Sequence, residues 1–318
     1  MTEYTKGLHE VAERVWAWLA PDGSWGWSNA GIVQGDGASL LVDTLFDLPL
    51  TAEMLTAMSE VTSGSPITDA LNTHANGDHC YGNQLLAPAV RIHATPACLH
   101  EMHDVPPTML HQLTTTDLGP DLTPYIQRLF GAFDFSGITL RDPDTGFETD
   151  TTVQVGGRDV RLVPLGPAHT KGDAVAYVPD AGVLFAGDLL FIGGTPVTWS
   201  GDLDAWIAAC NRMAGWDPAV VIPGHGPVTD VAGILQVRGY LAHVRDCLDA
   251  SITAGQPWRE AADRIDLGPY ADLPDAERIV ISTYNTYRMR GVDPGEASVM
   301  ELIEQMAAWL RRRAAIAS

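Results

Sequence analysis

The chain has 318 residues, 46% of them hydrophobic, with 40 acidic against 19 basic side chains and a formal net charge of −21. That length buries a sizeable core, as one large domain or one domain with an appendage. Nucleic-acid binding relies on Lys and Arg to neutralise phosphates, so a chain this acidic is a poor nucleic-acid partner, and its excess charge reads as a solvated acidic surface.

The N-terminal MTEYTKGLHEVAERVWAWLAP is interrupted by charges every few positions, so it holds no signal-peptide apolar core. No stretch reaches the roughly 18 apolar residues that a membrane span needs. Cys80, Cys98, Cys210 and Cys247 are scattered without C-x-x-C pairing and read as reduced thiols. The expectation is a cytoplasmic protein with no membrane partner, either monomer or homodimer.

Further along, apolar runs at 30–33 and 39–42 flank Gln34-Gly35-Asp36-Gly37, a hairpin pattern. Residues 50–61 carry apolar positions at helical spacing and stop at Ser63-Gly64. A short strand at 67–73 runs into His74-Ala75-Asn76-Gly77-Asp78-His79, and 90–93 is another. From 95 to 135 the pattern is helical but broken by Pro106, Pro107, Pro120 and Pro124. This insertion fits a pocket roof and a plain packing layer equally well. Strands resume at 152–155 and 160–164 around Gly156-Gly157, then at 174–178, 183–186 and 219–222, with an amphipathic helix at 203–213. Beyond 231 the chain reads as helices through Tyr240, 258–265, 276–290 and 295–313. Met300, Ile303, Met306, Ala307 and Leu310 form a stripe that suits intrachain packing or a dimer interface, so that the C-terminal helices either cap a cleft or pair two subunits. Strands alternating with helices predict an α/β layered domain over 1–230 and a C-terminal helical extension over 231–318 packed on it.

Of ten histidines, His74, His79, His169 and His225 each follow a predicted strand, among Gly, Asp and Thr. His74-x-Asn76-x-Asp78-His79 places four donors within six residues, a density that suits convergence on an ion about 2.0–2.2 Å from each. Taken alone it also fits a polar loop with capping Asn and Asp. Gly166-Pro167-Ala168-His169-Thr170-Lys171-Gly172-Asp173, then Gly187-Asp188, then Pro223-Gly224-His225-Gly226 favour the metal reading.

These four motifs in this order resemble the metallo-β-lactamase superfamily over roughly residues 28–230. The resemblance implies an αββα sandwich of two mixed β-sheets flanked by helices, with the site at one edge. It implies a first metal position at His74, Asn76 and His169 and a second at Asp78, His79 and His225, with Asp188 bridging and Asp43 supporting from outside. It also implies a metal-activated water as nucleophile, zinc in one or two ions per chain, and Asp78 as the group that takes a proton.

The family has His where this chain has Asn76, and a carboxamide oxygen is a weaker, harder donor than imidazole. Three readings stay open: a first position that binds weakly and leaves one metal, a preference for iron or manganese, or a turn residue bonded to its own loop. Phe191 and Trp199, with Trp25 and Trp27, suit an apolar or aromatic acyl group or, equally, a tryptophan-rich core, and Tyr81 suits reaching a substrate oxygen or, equally, plain packing. Lys171 suits a substrate carboxylate or plain solvation. The expected function is metal-dependent hydrolysis of a small hydrophobic ester, lactone or thioester. The alternatives are a thioesterase-cyclase or lyase on the same site, and a non-catalytic, metal-poor binding protein.

Overall fold

In the computed structural model, which describes residues 2–317, alternation along the strands sets the layers. The first sheet runs in chain order: β1 Gly7–Ala12, β2 Val15–Leu19, β3 Ala30–Gln34, β4 Ser39–Val42, β5 Ile67–Leu71, β6 Arg91–Ala94 and β7 Thr145–Gly146. It is antiparallel from β1 to β4 and parallel from β4 to β7. The second contains β8 Thr151–Val155, β9 Arg158–Pro164, β10 Ala174–Val178, β11 Val183–Phe191 and β12 Val220–His225, in spatial order β12-β11-β10-β9-β8. Only the β11–β12 pair is parallel there.

Side chains on a strand point alternately to opposite faces. Val33, Leu40 and Val42 accordingly pack between the sheets against Ala174, Ala176 and Phe185, while Ile32 and Leu41 face outward onto Met54 and Met58. Those methionines belong to α1 (Leu48–Thr62), which starts where the Asp47 carboxylate accepts the Leu50 amide at 2.8 Å. On the second sheet, Val175 and Leu184 turn outward onto α6 (Leu203–Ala214) and α7 (Val231–Thr253). The result is the expected helix–sheet–sheet–helix order.

The 95–135 insertion comprises α3 (Pro96–Glu101), α4 (Pro107–Thr115) and α5 (Leu122–Phe130); the remaining helices are the one-turn α2 (Gly77–Cys80), α8 (Trp258–Arg264), α9 (Ile279–Met289) and α10 (Val299–Ala317). Prolines in the insertion lie at helix starts, where the missing N–H is harmless. The apolar stripe of α10 is packed within the chain: Ile303, Met306 and Ala307 are buried in the cluster that also covers the second sheet. Among the described residues no helix is long and apolar enough to cross a membrane. All four cysteines are free thiols.

The structure differs from the sequence reading in two places. The charged N-terminal segment forms the β1–β2 hairpin, its turn made by Arg14 at φ 60°. Strand β1 is an edge, only half buried, so its side chains tolerate charge. Strand β11 continues through Asp188 to Phe191, and its pairing with β12 shifts register on both sides of Gly187. Asp188 therefore projects from a bulged strand, not from a loop after one.

Candidate metal centre

Both sheets contribute to one cluster. The loop after β5 carries His74 and Asn76; α2 carries Asp78 and His79; the loop between β9 and β10 carries His169; β11 and β12 carry Asp188 and His225. All six of the histidine and aspartate members are buried. His74, His169 and Asp188 form one group of potential metal donors, and Asp78, His79 and His225 form another. Asp188 reaches every imidazole: Oδ1 lies 3.1 Å from His79 Nε2, and Oδ2 lies 3.4, 3.5 and 3.8 Å from Nε2 of His225, His169 and His74. Asp78 Oδ2 lies 3.3 Å from His225 Nε2.

Three histidines are aimed by what holds their other ring nitrogen. His79 Nδ1 donates to Asp43 Oδ2 at 2.9 Å. His74 Nδ1 donates to Thr73 Oγ1 at 3.0 Å, and that hydroxyl donates to Asp43 Oδ2 at 2.8 Å. His169 Nδ1 donates to the Val197 carbonyl at 2.6 Å. Each bond holds Nδ1 as a donor and turns Nε2 into the cluster, the usual outer support of a metal-binding imidazole. Asp43 thus orients two of the four rings, as the sequence reading places it. It sits at φ 61°, a strained conformation that recurs at functional sites. Asp173 accepts from the Thr170 amide and hydroxyl at 2.9 and 2.7 Å, closing the loop that presents His169.

Asn76 lies at the first position. It begins α2 but its side chain makes no cap bond; Oδ1 lies 3.3 Å from His169 Nε2. The reading of Asn76 as a turn residue bonded to its own loop is therefore not what the structure shows.

The cluster is electrostatically divided. Burial and the neighbouring His79 hold His74 well below the ordinary imidazole range, and burial takes His169 down to about 4. Burial also acts on His225, but the carboxylates of Asp188 and Asp78 outweigh it and push this ring up to about 9; His79 is raised by Asp188, Asp78 and Asp43 in the same way. Burial would raise Asp188, yet the surrounding imidazoles hold it well below the usual carboxylate range. His74 Nε2, His79 Nε2 and Asp188 Oδ1, although fully enclosed, have no hydrogen-bond partner among the described residues. Buried polar atoms are rarely left so, and converging lone pairs of this kind fit a cation.

The centre opens into a cavity of about 350 Å³. Insertion residues Val105, Met109, Leu110 and Phe130 line one wall, and Leu302, Ile303 and Met306 of α10 line another. The insertion is thus a roof, and it is tied down. Glu101 accepts from the Lys171 amide at 3.0 Å and the Ser200 hydroxyl at 2.5 Å, and Thr95 donates to the Gly172 carbonyl at 2.8 Å. Tyr81 lines the cavity, but its hydroxyl donates to the Val105 carbonyl at 2.5 Å, so it holds the roof and does not reach out to a substrate oxygen. Phe191 and Trp199 line the cavity, as does Trp25; Trp27 packs on Phe133 with centroids 5.0 Å apart. Lys171 lies at the rim, 3.6 Å from Glu101. Glu101 and Arg278 also line the cavity, and neither carries a signal in the sequence, because each reaches the site only through long-range packing; the α10 wall matches the expectation that the C-terminal helices cap the cleft.

The family model described as metallo-beta-lactamase superfamily matches residues 23–225. Among solved structures, the stereoselective inverting sec-alkylsulfatase Pisa1 from Pseudomonas sp. aligns over 96% of this chain and 50% of its own, at 17% identity and TM-score 0.64. A double mutant of PisA1 aligns over 90% and 50%, at 16% identity and TM-score 0.69. The metallo-beta-lactamase FIM-1 from Pseudomonas aeruginosa in the mono-zinc form aligns over 74% and 94%, at 22% identity and TM-score 0.54. The chain spans about half the length of the alkylsulfatase it matches, and identities this low speak to the fold.

Proposed function

From the premise that the chain belongs to the metallo-beta-lactamase superfamily of metallo-hydrolases, we propose that it hydrolyses an ester, lactone or thioester of a small hydrophobic molecule. The observation that carries this is a donor cluster whose Asp78, His169, Asp188 and His225 line a mainly apolar cavity of about 350 Å³. His74, Asn76 and His169 are the residues for one metal position and Asp78, His79 and His225 for the other, with Asp188 between them; zinc suits the imidazole-rich set. A divalent cation there supplies Lewis acidity toward a substrate oxygen and brings the pKa of water down to about 7. Asp78 lines the cavity as a carboxylate held below its usual range by His79 and His225 against the effect of burial. It is placed to hold a proton on its way to the leaving group. The roof and the α10 wall receive the apolar part of the substrate and keep bulk water from it.

The test is a screen of zinc-supplemented protein on esters, lactones, thioesters, alkyl sulfates and β-lactams of graded chain length, repeated after chelation and on His79→Ala. Hydrolysis of an apolar ester, lactone or thioester that chelation and the substitution both abolish is expected. Turnover confined to alkyl sulfates or β-lactams, or undiminished in His79→Ala, refutes the reading.

Asn76 gives the two positions unequal strength. One tightly held zinc per chain is expected in the parent and two in Asn76→His, measured by metal analysis after dialysis; two in the parent contradicts this assignment. Because His225 is pushed up to about 9, it is protonated at neutral pH in the free protein and must lose that proton to act as a donor. Zinc affinity should therefore rise from pH 7 to pH 9 by about tenfold per unit for each proton displaced, read by competition with a chromophoric chelator. A flat profile over that range contradicts the assignment.

A further inference from the structure

His225 is the exception among the four histidines: its Nδ1 is buried and has no hydrogen-bond partner among the described residues. Its ring is held by an aromatic face instead. Phe191 lies parallel to it, with centroids 5.1 Å apart and planes at 2°. The β11–β12 register sets Phe191 beside His225, and the Ile192 amide donates to the His225 carbonyl at 2.9 Å, so backbone pairing places the two rings together. The guanidinium of Arg278 lies over the Phe191 ring at 5.2 Å and over Trp25 at 4.5 Å. Arg278 is itself buried and fixed: Nη1 donates to the Thr195 carbonyl at 2.9 Å and Nη2 lies 3.4 Å from Asp275. Thr195 is latched to the same stretch of chain through its hydroxyl, which donates to Pro274 O at 2.7 Å.

We propose that Phe191 and Arg278 are positioning residues that orient His225 for metal binding, doing by stacking what hydrogen bonds do for His74, His79 and His169. Cation–ring and ring–ring contacts are both stronger when desolvated, as they are here, and together they oppose rotation of the ring about its Cβ–Cγ bond. The stack runs from the segment just before α9, beyond the stretch that carries the metal motifs, to the last donor. It makes the affinity of the second position depend on the C-terminal part of the chain.

The inference rests on the metal role of His225 given above, and the experiment separates the two. The dissociation constant of the tightest zinc is measured by chelator competition on the parent, Phe191→Leu, Arg278→Met and the double variant, with apo melting temperatures alongside. A parent that binds no zinc tightly overturns the metal role itself. With a parent that binds, each single variant should weaken zinc by about 10–100-fold, the range for outer supports of a ligand. The double variant should be no weaker than Phe191→Leu alone, because Arg278 acts through that ring. Parent-like affinity in Phe191→Leu, or losses that multiply in the double variant, overturns the stack. So does a loss of affinity no larger than the loss of folded apo protein. Should Arg278→Met fail to fold, Arg278→Lys takes its place: it keeps the charge over the ring, and an affinity between those of the parent and Phe191→Leu is expected, whereas one below Phe191→Leu overturns the proposal.

Discussion

Asp188→Asn should yield a folded protein that no longer retains zinc through dialysis and whose kcat/KM is lower by about 10³-fold or more, several kcal/mol of lost metal-dependent stabilisation. Asp188 is the carboxylate within 3.8 Å of all four imidazole Nε2 atoms. Its charge raises His79 and His225, and the rings in turn hold it ionised. Asparagine keeps the shape of the side chain, so the bulge of β11 and the packing around it survive. What goes is the negative charge that faces all four imidazoles in a buried site, together with one of the oxygen donors. Zinc content by elemental analysis, steady-state kinetics and near-ultraviolet circular dichroism distinguish this outcome from unfolding. Parent-like zinc retention in a folded variant contradicts the central place given to Asp188.

Gly224→Ala is the second large effect, and it acts through the backbone. A Cβ there would sit 2.0 Å from Asp188 Oδ1, 2.7 Å from the Gly187 carbonyl carbon and 2.8 Å from the Asp188 amide nitrogen. No side-chain rotation relieves the backbone contacts, so β11 and β12 must part at the point where Asp188 and His225 are mounted. Overpacking of this sort costs about 1–3 kcal/mol of stability. A displacement of the order of 1 Å at the donors is expected to lower kcat/KM by about 10²-fold. Gly194→Ala is the matched control: nothing lies within 4 Å of a Cβ at that position, and it should melt and turn over like the parent. A Gly224→Ala protein indistinguishable from the control in melting temperature and kcat/KM sinks this account.

Much of the site was legible in the sequence because its donors are packed into short, turn-rich segments. Apart from Asp188, which sits within β11, each donor follows or ends a strand, and a strand end is where a sheet can present a side chain without burying loop backbone. Asp43, Asp78 and the four histidines converge as expected for that reason. The hairpins at 30–42 and 151–164 were equally plain, from turn residues between β-rich runs. The N-terminal hairpin was not, since charges on an edge strand mask its alternation. Whether Tyr81 offers its hydroxyl to a substrate or to Val105, and whether the insertion roofs a cavity, depends on contacts 24 or more residues apart along the chain. Arg278 is the extreme case. Its residue type suggests a solvated surface, and only folding shows it buried against Phe191 and Trp25.

The donors come from both halves of the sandwich: His74, Asp78 and His79 follow strands of the first sheet, and His169, Asp188 and His225 belong to the second. An ion held by such a set would be a clasp across the seam between the sheets, closing a chain loop of some 150 residues between His74 and His225 that no disulfide closes. Its binding free energy then counts as folding free energy, growing with the logarithm of free metal over its dissociation constant. With an ion held there, metal supply would add to the resistance to unfolding that the apo fold already has. A cell that withholds the ion would both silence the protein and expose it to proteases.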